Sequence, residues 1–163
     1  MVRHTMAAYA DKEPEGHVVV THPNRGKPVV QATRSGVVLL LLASVALILI
    51  VTIGGAKALQ GDVPVLVAYV LVYVVMAFFA ARWNRGVLPL AAVLAVLLLI
   101  FAGVAAPAWF ARDKPGFAQP DLNAGLLGVL TLAIIPVQVL LIIFTMRGFR
   151  QGWNVELERR VAD

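Results

Sequence analysis

The 163-residue chain contains no cysteine. Disulfides, thiolate metal sites and thiol redox chemistry are thereby excluded. Charge is also scarce: Asp, Glu, Lys and Arg make up 14% of the chain, against about 25% in average soluble domains. Four long stretches, Gly36–Ile53, Val63–Ala80, Val87–Ala106 and Ala124–Thr145, hold no Asp, Glu, Lys, Arg or His at all.

Each absence removes a class of function. Proton and ion pathways through bilayers normally need an intramembrane carboxylate, His, Lys or Arg to exchange the charge, and these stretches have none. Haem held between helices needs axial ligands, most often His. His4, His17 and His22 all precede the first apolar run. Intramembrane hydrolysis would need an activated Ser, a metal pair or an Asp dyad. Ser44 is the one serine within a run, and no base accompanies it. Phosphotransfer to lipids would call for clustered surface acids, and the acids here are dispersed. The basic residues are dispersed too and carry no recognition motif, which argues against nucleic acid. We therefore expect no enzyme, no cofactor and no metal site.

What the chain does have is apolar length. Hydrophobic residues make up 60% of it. A helix rising ~1.5 Å per residue needs roughly 17–25 apolar residues to cross a ~30 Å hydrocarbon core, and all four runs qualify. Their lack of a polar stripe distinguishes them from soluble core helices. The sequence thus predicts an all-α membrane protein, an antiparallel bundle of four transmembrane helices. A polar leader (1–35) precedes the membrane domain (36–146), and a short tail (147–163) follows it. "AKA" at 56–58 has the form of a signal cleavage site. The 35-residue leader and the length of the first run exceed the usual signal-peptide regions, so a retained first helix is expected.

Orientation follows from the cations, because positive residues resist translocation. With the N-terminus inside, the cytoplasmic side holds Arg3, Lys12, Arg25, Lys27, Arg34, Arg82, Arg85, Arg147, Arg150, Arg159 and Arg160. The outer side holds only Lys57, Arg112 and Lys114. Six acids face inward and three outward (Asp62, Asp113 and Asp121), so the whole net charge of +5 lies inside. The composition, rich in Ala, Val, Leu and Arg, suits a bacterial plasma membrane. "ARWNRG" (81–86) then reads as a tight inner turn, with Arg82 and Arg85 against the anionic leaflet and Trp83 at headgroup depth. Trp109 and Phe110 in the second outer loop, and Arg147 and Trp153 after the fourth run, are further interface anchors by the same logic. Asp121 or Asn123 can cap the fourth helix.

Two polar segments carry weaker patterns. "DKEPEG" (11–16) reads as a flexible break. Residues 17–33 place two short β-branched runs around a Pro-Asn-Arg-Gly turn, which suits a small hairpin limited by Pro23 and Pro28. The tail alternates at Trp153, Val155 and Leu157, so it could pair with the leader as a small cap of strands. Phe149, Trp153, Leu157 and Val161 also recur every fourth residue, and this favours an interfacial helix.

Inside the membrane, helices associate through small residues and interhelical hydrogen bonds, because lipid tails are as apolar as leucine. On the fourth run Ala124, Thr131, Gln138 and Thr145 fall every seventh residue, and Gly128 joins them. A seven-residue step leaves a helix only ~20° out of register, so these share one stripe. Tyr69 and Tyr73 share a face of the second run. At ~1.5 Å per residue from Val63 and Ala124, Tyr69 lies about 9 Å in, Thr131 about 10 Å, and Tyr73 about 15 Å, near the level of Ser44. We expect the Thr131–Gln138 stripe to face the bundle interior or a partner, with the tyrosine hydroxyls among its hydrogen-bonding candidates. Pro136 removes an N–H that Leu132 would otherwise bond, so a kink is expected there. The function that remains is contact with the bilayer and with other membrane subunits: an accessory or assembly subunit of a larger complex. The competing reading is a small transporter or channel formed by self-association.

Overall fold

The computed structural model describes residues 17–59, 61–113 and 120–161. The DKEPEG stretch, His4, Lys114 and Phe117 lie outside the described residues. In chain order the elements are β1 (His17–Thr21), α1 (Pro28–Gly54), α2 (Val63–Ala81), α3 (Val87–Phe110), a 3₁₀ turn (Ala111–Asp113), α4 (Ala124–Arg150) and β2 (Leu157–Val161). All four helices are long and apolar enough to span a membrane, and they pack as one bundle.

Two expectations for the polar ends are corrected. The hairpin predicted over 17–33 does not form. Its turn is present, with Arg25 N–H donating to the His22 carbonyl at 3.1 Å and Lys27 N–H to Asn24 at 3.3 Å. The turn leads into a helix, however, because Pro28 has the φ of a first helical residue and lacks the N–H that such a position leaves unbonded. The interfacial helix favoured for the tail is also absent. Gly152 takes φ +59° just after α4, in the left-handed region where glycine commonly ends helices. The tail then extends as β2 and pairs antiparallel with β1, His17 opposite Val161 and Thr21 opposite Leu157. This is the leader–tail cap, the weaker of the two sequence readings.

The helices pair unevenly. The α3–α4 contact is the most extensive, α1 lies against both α2 and α4, and α2 barely touches α3. At one end of the bundle, the strand end, the β1–β2 pair and the α2–α3 turn meet. At the other, the loop end, the Leu122 N–H donates to the Gly54 carbonyl at 3.0 Å. Asn123 caps α4 by accepting from Leu126 N–H at 3.1 Å, while Asp121 pairs with Lys57. The distribution of side chains is inside-out relative to a soluble domain: Leu39, Leu71 and Val104 point outward, and Ser44, Thr131, Gln138 and Thr145 are buried. Lipid accounts for both halves of this pattern, since it solvates leucine and offers amides and hydroxyls nothing.

Candidate functional site

The interior of the bundle is organised by α4. Its buried residues, Ala124, Leu127, Thr131, Ile134, Gln138, Leu141, Thr145 and Gly148, advance by alternating steps of three and four, with Gly128 beside them. That spacing keeps one seam inward along the whole helix. The threonines on it bond backwards along their own helix, Thr131 Oγ1 to Leu127 O at 2.7 Å and Thr145 Oγ1 to Leu141 O at 2.7 Å. Gly128 lies under the ring of Phe110, where a Cβ would come within 2.7 Å. Pro136 sits within α4 on an exposed face, away from the seam.

Gln138 does something different. Its Oε1 accepts from Tyr73 Oη on α2 at 3.0 Å, and its Nε2 donates to Ser44 Oγ on α1 at 2.8 Å. Ser44 Oγ in turn donates to Leu40 O at 2.7 Å. Gln138, Tyr73 and Ser44 are each fully buried. Three helices are thus joined by one continuous chain of hydrogen bonds, from Tyr73 through Gln138 and Ser44 to the Leu40 carbonyl. In a medium without water, an amide placed there is costly unless its partners are in reach, so the triad fixes the relative depth and rotation of α1, α2 and α4. Tyr69 stands one turn away, edge-on to Tyr73 with ring centroids 5.7 Å apart.

The helix outside that triad is α3, held to α4 by small residues. Ala91, Ala95, Ala102 and Ala106 are all buried and fall in two pairs spaced by four. Such pairs let backbones approach closely. Alanine recurs so often through this run that the seam does not stand out in the sequence.

The uneven pairing leaves a crevice. It lies between α2 and α3 toward the loop end, has a volume of about 560 Å³, and is lined by Val65, Tyr69, Phe101, Ala105 and Trp109 among others. Thr131 and Ile134 reach its wall from α4, and Asp62 stands at its loop-end margin. Tyr69 and Phe101 meet edge-on across the gap, with centroids 6.5 Å apart.

The strand end gathers cations and tryptophans. Trp83 adopts φ +64°. Its N–H donates to Ala80 O and the Asn84 N–H to Phe79 O, at 3.1 and 3.0 Å. These two bonds make a Schellman motif that puts tryptophan where glycine usually sits, at a cost of about 1–2 kcal/mol. The ring is held between others: edge-on to Trp153 at 5.8 Å, with the Arg34 guanidinium 4.3 Å from its centroid. Arg34 also donates to the Ala81 carbonyl that ends α2, at 3.1 Å. Arg85 stacks on Phe149 at 4.2 Å and Arg82 on Phe78 at 4.9 Å. Arg147 projects outward from the last turn of α4. Asn24 and Arg25 bond the Gly152 and Trp153 carbonyls, and Gln151 bridges Thr33 and Trp153, so the leader clamps the tail.

Two of the interface-anchor candidates, Trp109 and Trp153, pack against the chain itself. Trp153 is fully buried, and Trp109 is 3% exposed. Glycines make the room: a Cβ on Gly148 would lie 2.9 Å from the Trp153 ring, and one on Gly55 would collide with Trp109. Phe110, by contrast, is half exposed. Among the described residues, no three His, Cys, Asp or Glu side chains gather where they could hold a metal ion.

Comparison of the chain with protein-family models, with curated proteins and with solved structures finds no match to any of them.

Proposed function

We propose that this is a non-catalytic subunit that packs beside other proteins in a larger membrane complex. In this reading it is an antiparallel bundle in a bacterial plasma membrane with both termini in the cytoplasm. The observation that carries the proposal is the pairing of the interior Ser, Thr and Gln side chains. Among the described residues, each buried Ser, Thr and Gln makes a hydrogen bond within the chain. That pattern favours packing over a hydrated path or an activated substrate. The charge-free runs point the same way, since they offer no group to exchange a proton or an ion. What the bundle presents outward is apolar surface over the membrane-spanning helices and a clamped, basic strand end.

The orientation rests on the distribution of cations: Arg34, Arg82, Arg85, Arg147 and Arg150 gather at the strand end, which supports a cytoplasmic position for it. Labelling of a cysteine at position 84 from outside the cell would reverse it.

Purification from native membranes in mild detergent, followed by mass spectrometry, tests the subunit reading. Other membrane proteins should co-purify in fixed stoichiometry. A homo-oligomer alone, conducting ions or solutes in liposomes, would replace this reading with a self-assembled channel or transporter.

A further inference from the structure

The geometry points to a lipid site in the α2–α3 crevice: one acyl chain of a zwitterionic, amine-bearing phospholipid lies between the helices, its ester carbonyl on Tyr69 and its headgroup between Asp62 and Arg112. This goes beyond the subunit reading and stands or falls separately from it.

Size favours a chain over a helix. Along α2 the crevice runs from Asp62 to Tyr69, about two helical turns at ~5.4 Å per turn. A partner helix needs several turns of contact, and the Tyr69–Phe101 pair narrows the gap partway along the crevice, which continues as far as Leu98. The volume does fall within the 300–1,000 Å³ typical of small-molecule sites, with a largely apolar lining and a few polar groups.

Those polar groups select the ligand. Tyr73 Oη is occupied by Gln138, whereas Tyr69 Oη makes no hydrogen bond among the described residues. A phenol facing an apolar crevice within a bilayer wants an acceptor. Helical side chains lean toward the N-terminus of their helix, so the Tyr69 hydroxyl points up α2 toward the loop end and the membrane surface. Lipid ester carbonyls arrive from that surface. At the margin, Asp62 forms no ion pair among the described residues and makes no side-chain capping bond on α2. Lys57, its nearest cation in sequence, is already paired with Asp121. Arg112 stacks 4.9 Å from the centre of the crevice-lining Trp109 ring. Among the described residues its one hydrogen bond, a long one of 3.5 Å, goes to the Ala58 carbonyl, out of the five N–H groups that it carries. A carboxylate and a guanidinium flanking an apolar slot complement an ammonium and a phosphate on one headgroup.

The test uses the full chain in nanodiscs containing a phosphatidylethanolamine with a diazirine in its acyl chain, and peptide mapping of the photo-adducts. Adducts should concentrate at Phe101 and Ala105 over the outward residues Leu39 and Leu71. Tyr69→Phe, which keeps the ring and removes the hydroxyl, should lower crevice labelling several-fold. Ala105→Trp, a filling change at an exposed position, should abolish it while the chain still elutes as a folded species. A diazirine phosphatidylglycerol at equal mole fraction should label the crevice at least threefold less. Even labelling of all lipid-facing helix surfaces, equal labelling by the two headgroups, or undiminished labelling of Ala105→Trp would overturn the proposal. So would a photo-crosslinker at position 105 that captures a protein in native membranes.

Discussion

Tyr73 on α2 and Gln138 on α4 are 65 residues apart in the chain, and their hydroxyl and amide oxygens lie 3.0 Å apart in the centre of the bundle. Ser44 completes the contact from α1. Polar pairs in membranes average ~0.6 kcal/mol and reach about 1.7 kcal/mol at most. Tyr73→Phe should therefore cost about 1 kcal/mol, and Gln138→Leu, which breaks two bonds, somewhat more. In the double variant the costs should fall short of additivity by about 0.6 kcal/mol. Denaturant unfolding in detergent micelles measures the cycle. Fully additive costs would mean the two side chains do not interact.

Trp83 offers a test of backbone strain. Both Trp83→Ala and Trp83→Gly lose the contacts with Arg34 and Trp153. Glycine alone also relieves the φ of +64°. The glycine variant should be the more stable of the two by about 1 kcal/mol. Equal melting temperatures would show that the turn is not left-handed at this residue.

The α3–α4 seam depends on small side chains. Ala95 is fully buried, and its neighbour Val96 is 44% exposed. Ala95→Leu should destabilise the bundle by about 1–3 kcal/mol, as overpacking does. Val96→Leu, facing lipid, should be nearly silent. If the two behaved alike, α3 would be rotated from the position described.

The leader–tail sheet can be checked by crosslinking, since the chain has no cysteine of its own. Val19 and Arg159 stand directly opposite each other. A Val19→Cys, Arg159→Cys variant should oxidise readily to an intramolecular disulfide. Val19→Cys with Leu157→Cys, two residues out of register, should oxidise slowly. The reverse order of rates would shift the register.

Much of the fold was legible in the sequence because the membrane imposes simple rules. The four charge-free runs coincide with the four helices, although α1 begins at Pro28, ahead of Gly36, because Pro28 starts it as a polar helix before it becomes apolar. Counting residues from the run ends puts Tyr73 near the level of Ser44, but it sets Thr131 beside Tyr69 and would put Gln138 about 6 Å deeper than Tyr73, the residue it in fact bonds. The polar ends were harder to read. In residues 17–33 the β-branched pairs Val18–Val19 and Val29–Val30 look alike, yet one is strand and the other helix. The difference lies in what each can pair with: β1 finds the tail 136 residues away, where Thr21 Oγ1 bonds the Leu157 carbonyl. The alternation of the tail allows that pairing but does not choose it over a helix. The burial of Trp109 and Trp153 is not legible locally, because the room for their rings is made by Gly55, 54 residues before Trp109, and by Gly148 in the last turn of α4. The crevice was equally hidden, being the product of two helices that fail to meet.

The central claim is that the polar stripe of α4 is consumed inside this chain and that partners meet the outer apolar faces. Photo-crosslinking in native membranes, from position 138 and from the outward positions Leu71 and Ile143, tests it most directly. A crosslinker at 138 should yield only adducts within the chain, and at least one outward position should yield a discrete adduct with another protein. Lipid adducts at 138, or lipid alone at every outward position, would contradict the account.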